Sequence, residues 1–366
     1  MALPSTLTDP YGALLTTTMR NWMPRLRNNI TRTNKLLGWL DSGGRTRTIN
    51  GGERIAVPLM YAHNSTADIY SGYGLLDVTP ADGMTAAFYN LAQLSVSVTI
   101  SRLEERQNSG KARMLDLLEG KFRQSDFSIR ELLNNCLVAG RIASGAPSAN
   151  GQFVARVGRM DSNAQGPLPL TALVDSDPTR SRTDIGNINA ATYSWWRNQA
   201  LESTATTFAG LKQEMLDMYT RCERTAGGEP DLILTDRIGW SMYFNSLQSQ
   251  ERYFRSDERA VNVLGGSKAL AFLNAAMIWD EVVPDVTTNA DVVDGIGTVS
   301  LSTMYFLNTE LMEFITDSET DFISTPMVRP ENQDARTGQI LWMGCLAVSN
   351  RRKQGVLKGI AQTIVS

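Results

Sequence analysis

The stretch from Arg45 to Leu103 limits most sharply what this chain can become. It opens with "RIAVPLMYA", strand-like in composition, in which Pro58 lacks the amide hydrogen of a central strand and fits only an edge. It runs on through "YSGYGLLDVTPADGMT", dense in Gly, Asp, Thr and Pro, as a long irregular tip. It closes with "AAFYNLAQLSVSVTIS", in which Leu94, Val96, Val98 and Ile100 alternate with Ser95, Ser97, Thr99 and Ser101. The pattern predicts a long two-stranded excursion with one polar face. Such a unit is marginal in water by itself, so it is expected to lie across a partner surface.

The segment before it has the same need. Residues 1–47 carry Arg20, Arg25, Arg27, Arg32, Lys35, Arg45 and Arg47 against only Asp9 and Asp41. This is a basic arm on a chain whose overall formal charge is −3, so no global basic field draws nucleic acid. A Thr/Asp cap opens a partly helical segment in "TDPYGALLTTTMRNWM", which Pro24 interrupts. It is too polar to form a core alone.

After the excursion the period changes. From 108 to 144 apolar residues recur at helical spacing: Met114, Leu115, Leu118, Phe122, then Ile129, Leu132, Leu133, Cys136 and Leu137. Asn108 or Ser109 can cap this helix and Gly145 can end it. Unbroken, it would be about 50 Å long, which suggests a strut. Residues 145–190 are loop-rich. From 207 the pattern becomes mixed α and β: a helix in "TFAGLKQEMLDMYTRCER", a short buried strand in "PDLILTD", and a helix in "RIGWSMYFNSLQ" capped by Asp236. Strands follow in "AFLNAAMIWDEVVP" and "TMYFLNTELMEFI". The end, "ILWMGCLAVSNRRKQGVLKGI", reads as a long apolar strand, a polar turn and a short strand.

Chemistry is sparse. His63 is the only histidine, so a site with two or three histidine ligands is excluded within one chain. It sits in a polar, turn-rich stretch that reads as a solvated loop. Cys136, Cys222 and Cys345 are odd in number and far apart, and read as buried thiols. Glu104 and Glu105 alternate with Arg102 and Arg106, as a solvated ion-pair face does. "NRRKQ", 350–354, reads as a solvated or intersubunit turn, and "DGIGTV" as a turn lacking the third glycine of a dinucleotide fingerprint. No catalytic constellation, metal site or cofactor site is expected. No apolar run approaches a membrane span, and the first residues lack a signal-peptide pattern. A soluble, intracellular protein with no membrane partner is therefore expected.

Two adjacent tryptophans, Trp195 and Trp196, precede Arg197 in "TYSWWRNQ". As part of a strand they would point to opposite faces. One would face the subunit's own core, the other a neighbour or the long helix, with Arg197 pairing or stacking at the rim.

The order of these parts resembles the major capsid proteins of tailed bacteriophages, with the Hong Kong 97 type shell fold. The phrases that carry the resemblance are "GGERIAVPLMYAHNSTADIYSGYGLLDVTP", "QNSGKARMLDLLEGK", "IGNINAATYSWWRNQ", "EPDLILTD", "STMYFLNTELMEF" and "NRRKQGVLKGI". It implies an α+β fold with an N-arm (1–44), an extended two-stranded E-loop (45–103), and a P-domain (104–205) with a spine helix at 108–144. A mixed α/β A-domain (206–314), a return through the P-domain (315–350) and a C-terminal segment (351–366) complete it. The implied function is self-assembly into pentamers and hexamers of an icosahedral head around double-stranded DNA, in a virion assembled in the host bacterial cytoplasm. An encapsulin-like shell around a cargo enzyme is the alternative, and an enzyme built on the α/β pattern at 207–280 is a third. The resemblance also implies separate scaffolding and portal partners, possible decoration proteins, and nonspecific contact with DNA. Arg20, Arg25, Arg27 and Arg32 are candidates to face DNA or acids of neighbouring subunits. Gly51, Gly52 and Gly110 are hinge candidates. No lysine lies between Arg45 and Leu103, so no lysine–asparagine crosslink from the excursion is expected.

Overall fold

A computed structural model describes residues 35–80, 82–107, 117–138, 167–179, 184–224, 228–247, 270–283 and 301–361. In chain order these form helix α1 (Lys35–Ser42), strands β1 (Thr46–Ile49), β2 (Arg54–Met60), β3 (Met84–Asn90) and β4 (Ala92–Ser101), then helices α2 (Arg102–Gln107), α3 (Leu117–Val138) and α4 (Leu170–Leu173). Short strands β5 (Asp184–Ile185) and β6 (Ile188–Asn189) lead to β7 (Gln199–Glu202), α5 (Phe208–Glu223), β8 (Leu232–Thr235) and α6 (Arg237–Ser246). The chain closes through β9 (Leu270–Phe272), β10 (Ala275–Trp279), β11 (Leu301–Leu307), β12 (Met312–Asp317), β13 (Ile323–Ser324), β14 (Ala335–Val348) and β15 (Gly355–Ala361).

Two sheets organise the body. The first has the order β1-β12-β14-β13, with β4 also paired to β14. The second has the order β7-β15-β11-β8-β10-β9. Strand alternation lets the second sheet serve two cores. Leu232 and Leu234 of β8 join the core shared with the first sheet, while Ile233 between them joins a second core under α5 and α6. Burial on both faces explains why "LILT" is continuously apolar.

Local signals set the helices. The Thr207 side chain accepts from the Gly210 amide and starts α5; Asp236 accepts from the Ile238 and Gly239 amides and starts α6. In α3, Ile129, Leu133, Cys136 and Leu137 make one buried face, and α1 adds Leu36, Trp39 and Leu40 to the same core. The ends of the expected helix, including Asn108, Ser109, Gly110 and Gly145, lie outside the described residues.

The alternating strand at 92–101 is present, but its partner is not the other half of the excursion. All of β4 pairs with residues 335–344 of β14, and β14 continues from 344 to 348 against β12. The long strand β14 offers a full ladder of bonds and a buried face, which a free hairpin arm cannot match. Only β2 and β3, with the loop between them, form the excursion. They pair from Arg54↔Asn90 to Met60↔Met84, and Pro58 sits on an edge as expected.

At the centre of the first sheet Gly344 leaves no room for a side chain. A Cβ there would lie 2.5 Å from the Ile315 carbonyl oxygen and 2.6 Å from the Trp342 ring. Gly344→Ala is expected to cost about 2–3 kcal/mol through overpacking. Chemical denaturation of the variant checks this.

The basic run 350–354 is the largest departure from the sequence reading. Arg351, Lys353 and Gln354 are fully buried, and only Arg352 among the cations faces solvent. The turn is a one-turn 3-10 helix (Arg351–Lys353) that carries the chain from the first sheet to the second. Arg351 donates to the carbonyls of Leu173 (2.9 Å) and Ala172 (3.3 Å) and to Asn198 Oδ1 (3.3 Å). Lys353 Nζ donates to the Glu223 carbonyl (3.1 Å) at the C-terminus of α5 and to the Gly228 carbonyl (2.8 Å). Gln354 exchanges two bonds with the backbone of Asn308. Helix ends and turns carry orphan carbonyls, and once buried these need donors. The cations are inside because they satisfy those carbonyls.

Candidate assembly surface

The hairpin of β2 and β3 does not stand free. Leu59, Ala87 and Tyr89 turn toward the body and are buried. The Tyr89 hydroxyl donates to the Val348 carbonyl at 2.6 Å, and the Phe88 amide donates to the Gly186 carbonyl at 3.1 Å. Gly186 has φ +66°, and a Cβ on it would sit 2.7 Å from that of Ala87, so a glycine lets the two backbones meet.

The two tryptophans belong to this anchorage. Ser194–Trp196 is a 3-10 helix rather than a strand. The Asn189 side chain accepts from the Ala191 and Thr192 amides and curls the chain beforehand, as short polar side chains do in turns. Arg197 then holds the Ala190 and Ala191 carbonyls, so it closes this turn instead of lining a rim. Successive residues of a 3-10 turn are not on opposite faces, and the two rings lie 5.8 Å apart. Trp196 is buried, its Nε1 donating to the Ile185 carbonyl at 2.8 Å. Trp195 is half-buried and stacks on Tyr61, just past β2, at 5.3 Å. The exposed Tyr193 ring lies tilted to the same indole, 6.0 Å away.

At the other end the hairpin is joined to the body by Gly51 (φ +73°) and Gly52 (φ +120°), between β1 and β2. The Gly51 amide donates to Asp317 Oδ1 at 3.2 Å, and Thr320 donates to the same carboxylate. These bonds, the Thr320 one first, hold the Asp317 carboxyl below its ordinary range. A depressed carboxyl stabilises the fold above its unfolded pKa of about 3.9 and loses that contribution as pH falls through the folded value. Protection of the Gly51 amide against hydrogen exchange is therefore expected to hold at neutral pH and to fall below about pH 4. In Asp317→Ala it should be low throughout, with no pH step.

Beyond Met60 and Met84 the loop leaves the body. Ile69 is 97%, Tyr73 105%, Leu75 100% and Val78 88% exposed, with Tyr70 and Leu76 at 64%. Asp77 accepts from the amide and hydroxyl of Thr79, which pulls its carboxyl down. Asn64 does the same for Thr66, so local turns hold the loop. Its apolar residues went unread in the sequence because they are scattered among turn residues without a period.

Where the loop departs, a hollow of about 390 Å³ opens between hairpin and body. Met60, Tyr61, His63, Trp195, Asn350 and Arg352 are among its walls. His63 is exposed there, in a loop as expected. A second hollow of about 370 Å³ lies beside α2. Around it Arg102 pairs with Asp334 (3.9 Å) and Glu105 with Arg336 (3.5 Å), while Glu104 pairs nearby with Lys121 (2.7 Å). The paired glutamates are the solvated ion-pair face read from sequence.

All three cysteines are buried and unbridged, and burial pushes each thiol up to about 12. Among the described residues no three His, Cys, Asp or Glu side chains come together as a metal site, and no helix is long and apolar enough to cross a membrane. Arg20, Arg25, Arg27, Arg32, Gly110 and the "DGIGTV" turn lie outside the described residues.

No family model matches the chain, and no curated protein does. Solved structures do. The cyanophage A-1(L) capsid asymmetric unit aligns over 97% of this chain and 99% of that one, with a TM-score of 0.62 at 15% identity. The capsid of an empty GTA particle aligns over 98% and 100%, with a TM-score of 0.58 at 10% identity. The SrpI encapsulin of Synechococcus elongatus aligns over 99% and 98%, with a TM-score of 0.55 at 10% identity. The chain thus has the α+β architecture of a Hong Kong 97 type shell subunit over nearly its whole length.

Proposed function

From that fold, we propose that the chain is a major capsid protein, self-assembling into pentamers and hexamers of an icosahedral phage head around double-stranded DNA. The observation that carries this reading is the loop after β2. Six large apolar side chains stand uncovered on a projection with no core of its own. Patches of that kind mark interaction sites, and a shell subunit supplies the missing cover from its neighbours. In this reading residues 1–44 are the N-arm, the hairpin is the E-loop, and α3 is the spine helix of the P-domain. The second sheet with α5 and α6 is the core of the A-domain. Gly51 and Gly52 are the pivot by which one hairpin serves five- and six-fold surroundings; Gly110 is a second pivot.

The arm arginines Arg20, Arg25, Arg27 and Arg32 contact DNA or acids of neighbouring subunits. Alanine substitution that weakens particles without releasing DNA favours the neighbours. Scaffolding, portal and decoration proteins are separate partners, and assembly occurs in the host cytoplasm. No catalysis is assigned. The similarity to the SrpI encapsulin favours one second reading, a shell around a protein cargo.

Negative-stain microscopy of the expressed protein tests the shell. Closed particles several hundred ångströms across are expected, and a monomer at every concentration overturns it. Nucleic acid rather than an enzyme inside particles from the native source separates phage head from encapsulin.

A further inference from the structure

The exposed tip and the hollow at its root are complementary. The tip is apolar and acidic: Tyr70, Tyr73, Leu75 and Leu76 are accompanied by Asp68 and Asp77, with no lysine or arginine from Tyr61 to Gly83. The hollow is aromatic and cationic. Tyr61, Trp195 and Trp196 line it, with Tyr61 stacked on Trp195. Arg352 stands on its wall, exposed, with no side-chain partner among the described residues. Its neighbours Arg351 and Lys353 are buried in the turn below, so that turn fixes where Arg352 points.

We propose that the tip at residues 68–78 of one copy seats in the hollow beside Trp195 of a second copy, with its aspartates toward Arg352. This rests on the shell reading above and names the surface that receives the tip. A tip cannot fill the hollow it springs from while projecting away from it, so each copy offers one knob and one vacant socket. A knob and a socket on different patches make a head-to-tail contact, and such contacts close into rings when the rotation divides the circle. Apolar and aromatic burial would supply the affinity, and the Asp–Arg match the register.

Two variants test this on the full chain. Ser71→Cys with Ser194→Cys puts one thiol on the tip and one beside Trp195, both exposed; the native cysteines are buried. Assembled particles treated with a short bismaleimide are expected to give a denaturing-gel ladder ending at five and six subunits. Each single variant should give none. A dimer band from Ser71→Cys alone would mean that tips meet each other, and intact particles of the double variant with no ladder would mean that the tip seats elsewhere; either overturns the proposal and leaves the shell reading standing. Absence of particles from the unmodified protein overturns the shell reading instead. In the second test, Arg352→Glu, or Asp68→Lys with Asp77→Lys, should each lower particle yield about tenfold, and their combination should restore most of it. Additive losses without rescue count against the pairing.

Discussion

A subunit carrying Tyr73→Ser, Leu75→Ser and Leu76→Ser should fold and fail to assemble. Leu75 and Tyr73 are fully exposed and Leu76 is 64% exposed, so the subunit's own core loses little. Its thermal midpoint should stay within about 2 °C of the parent's, because exposed substitutions change stability by less than about 0.5 kcal/mol. Assembly is different. Each large apolar side chain covered in a contact is worth about 1.5–3 kcal/mol, so three removed per contact cost about 5 kcal/mol or more. A closed shell repeats that loss at every copy, and multivalent stability falls steeply. Sedimentation should show particles replaced by a small species. Particles at parental yield would mean that the tip is ornamental and that the subunits are held elsewhere.

The unassembled subunit of that variant is the right background for the second large effect. Arg351→Ala should destabilise it by about 3–5 kcal/mol. The substitution strands the carbonyls of Ala172 and Leu173 in a buried site, at about 1–3 kcal/mol for each unmet group, and leaves a cavity; Asn198 keeps its bonds to Asp175 and Gln199. Arg351→Met should recover the volume but not the hydrogen bonds, and so fall between parent and alanine. Arg352→Ala, one residue on and exposed, should be close to neutral in the same denaturant titration. Equal effects at 351 and 352 would mean that the turn is solvated after all.

That contrast shows where sequence reading stops. Arg351, Arg352 and Lys353 are consecutive cations with the same local pattern; what separates them is the position of carbonyls at Leu173 and Glu223, more than a hundred residues earlier. Alternation at Leu94, Val96, Val98 and Ile100 was legible because a strand face is a local property. Its partner was not, because Ser101 pairs with Ala335. Asp236 was legible as a cap because the amides it accepts from are two and three residues away. The tryptophan turn was missed because Asn189 bends the chain before Ser194, and an asparagine in a loop does not announce which amides it takes. The apolar tip was missed because burial gives apolar residues a period, and residues waiting for another molecule need none.

The pairing of β4 with β14 has a consequence for synthesis. Residues 92–101 leave the ribosome about 230 residues ahead of the strand that completes their ladder. At about 5–20 residues per second that is a wait of roughly 10–50 s. β1 waits longer still for β12. During that interval the apolar faces of β4 and α3 and the bare tip are all presented together on an unfinished chain. Contacts this distant in sequence form slowly, and the nascent subunit must be kept from its own kind until its last strands arrive.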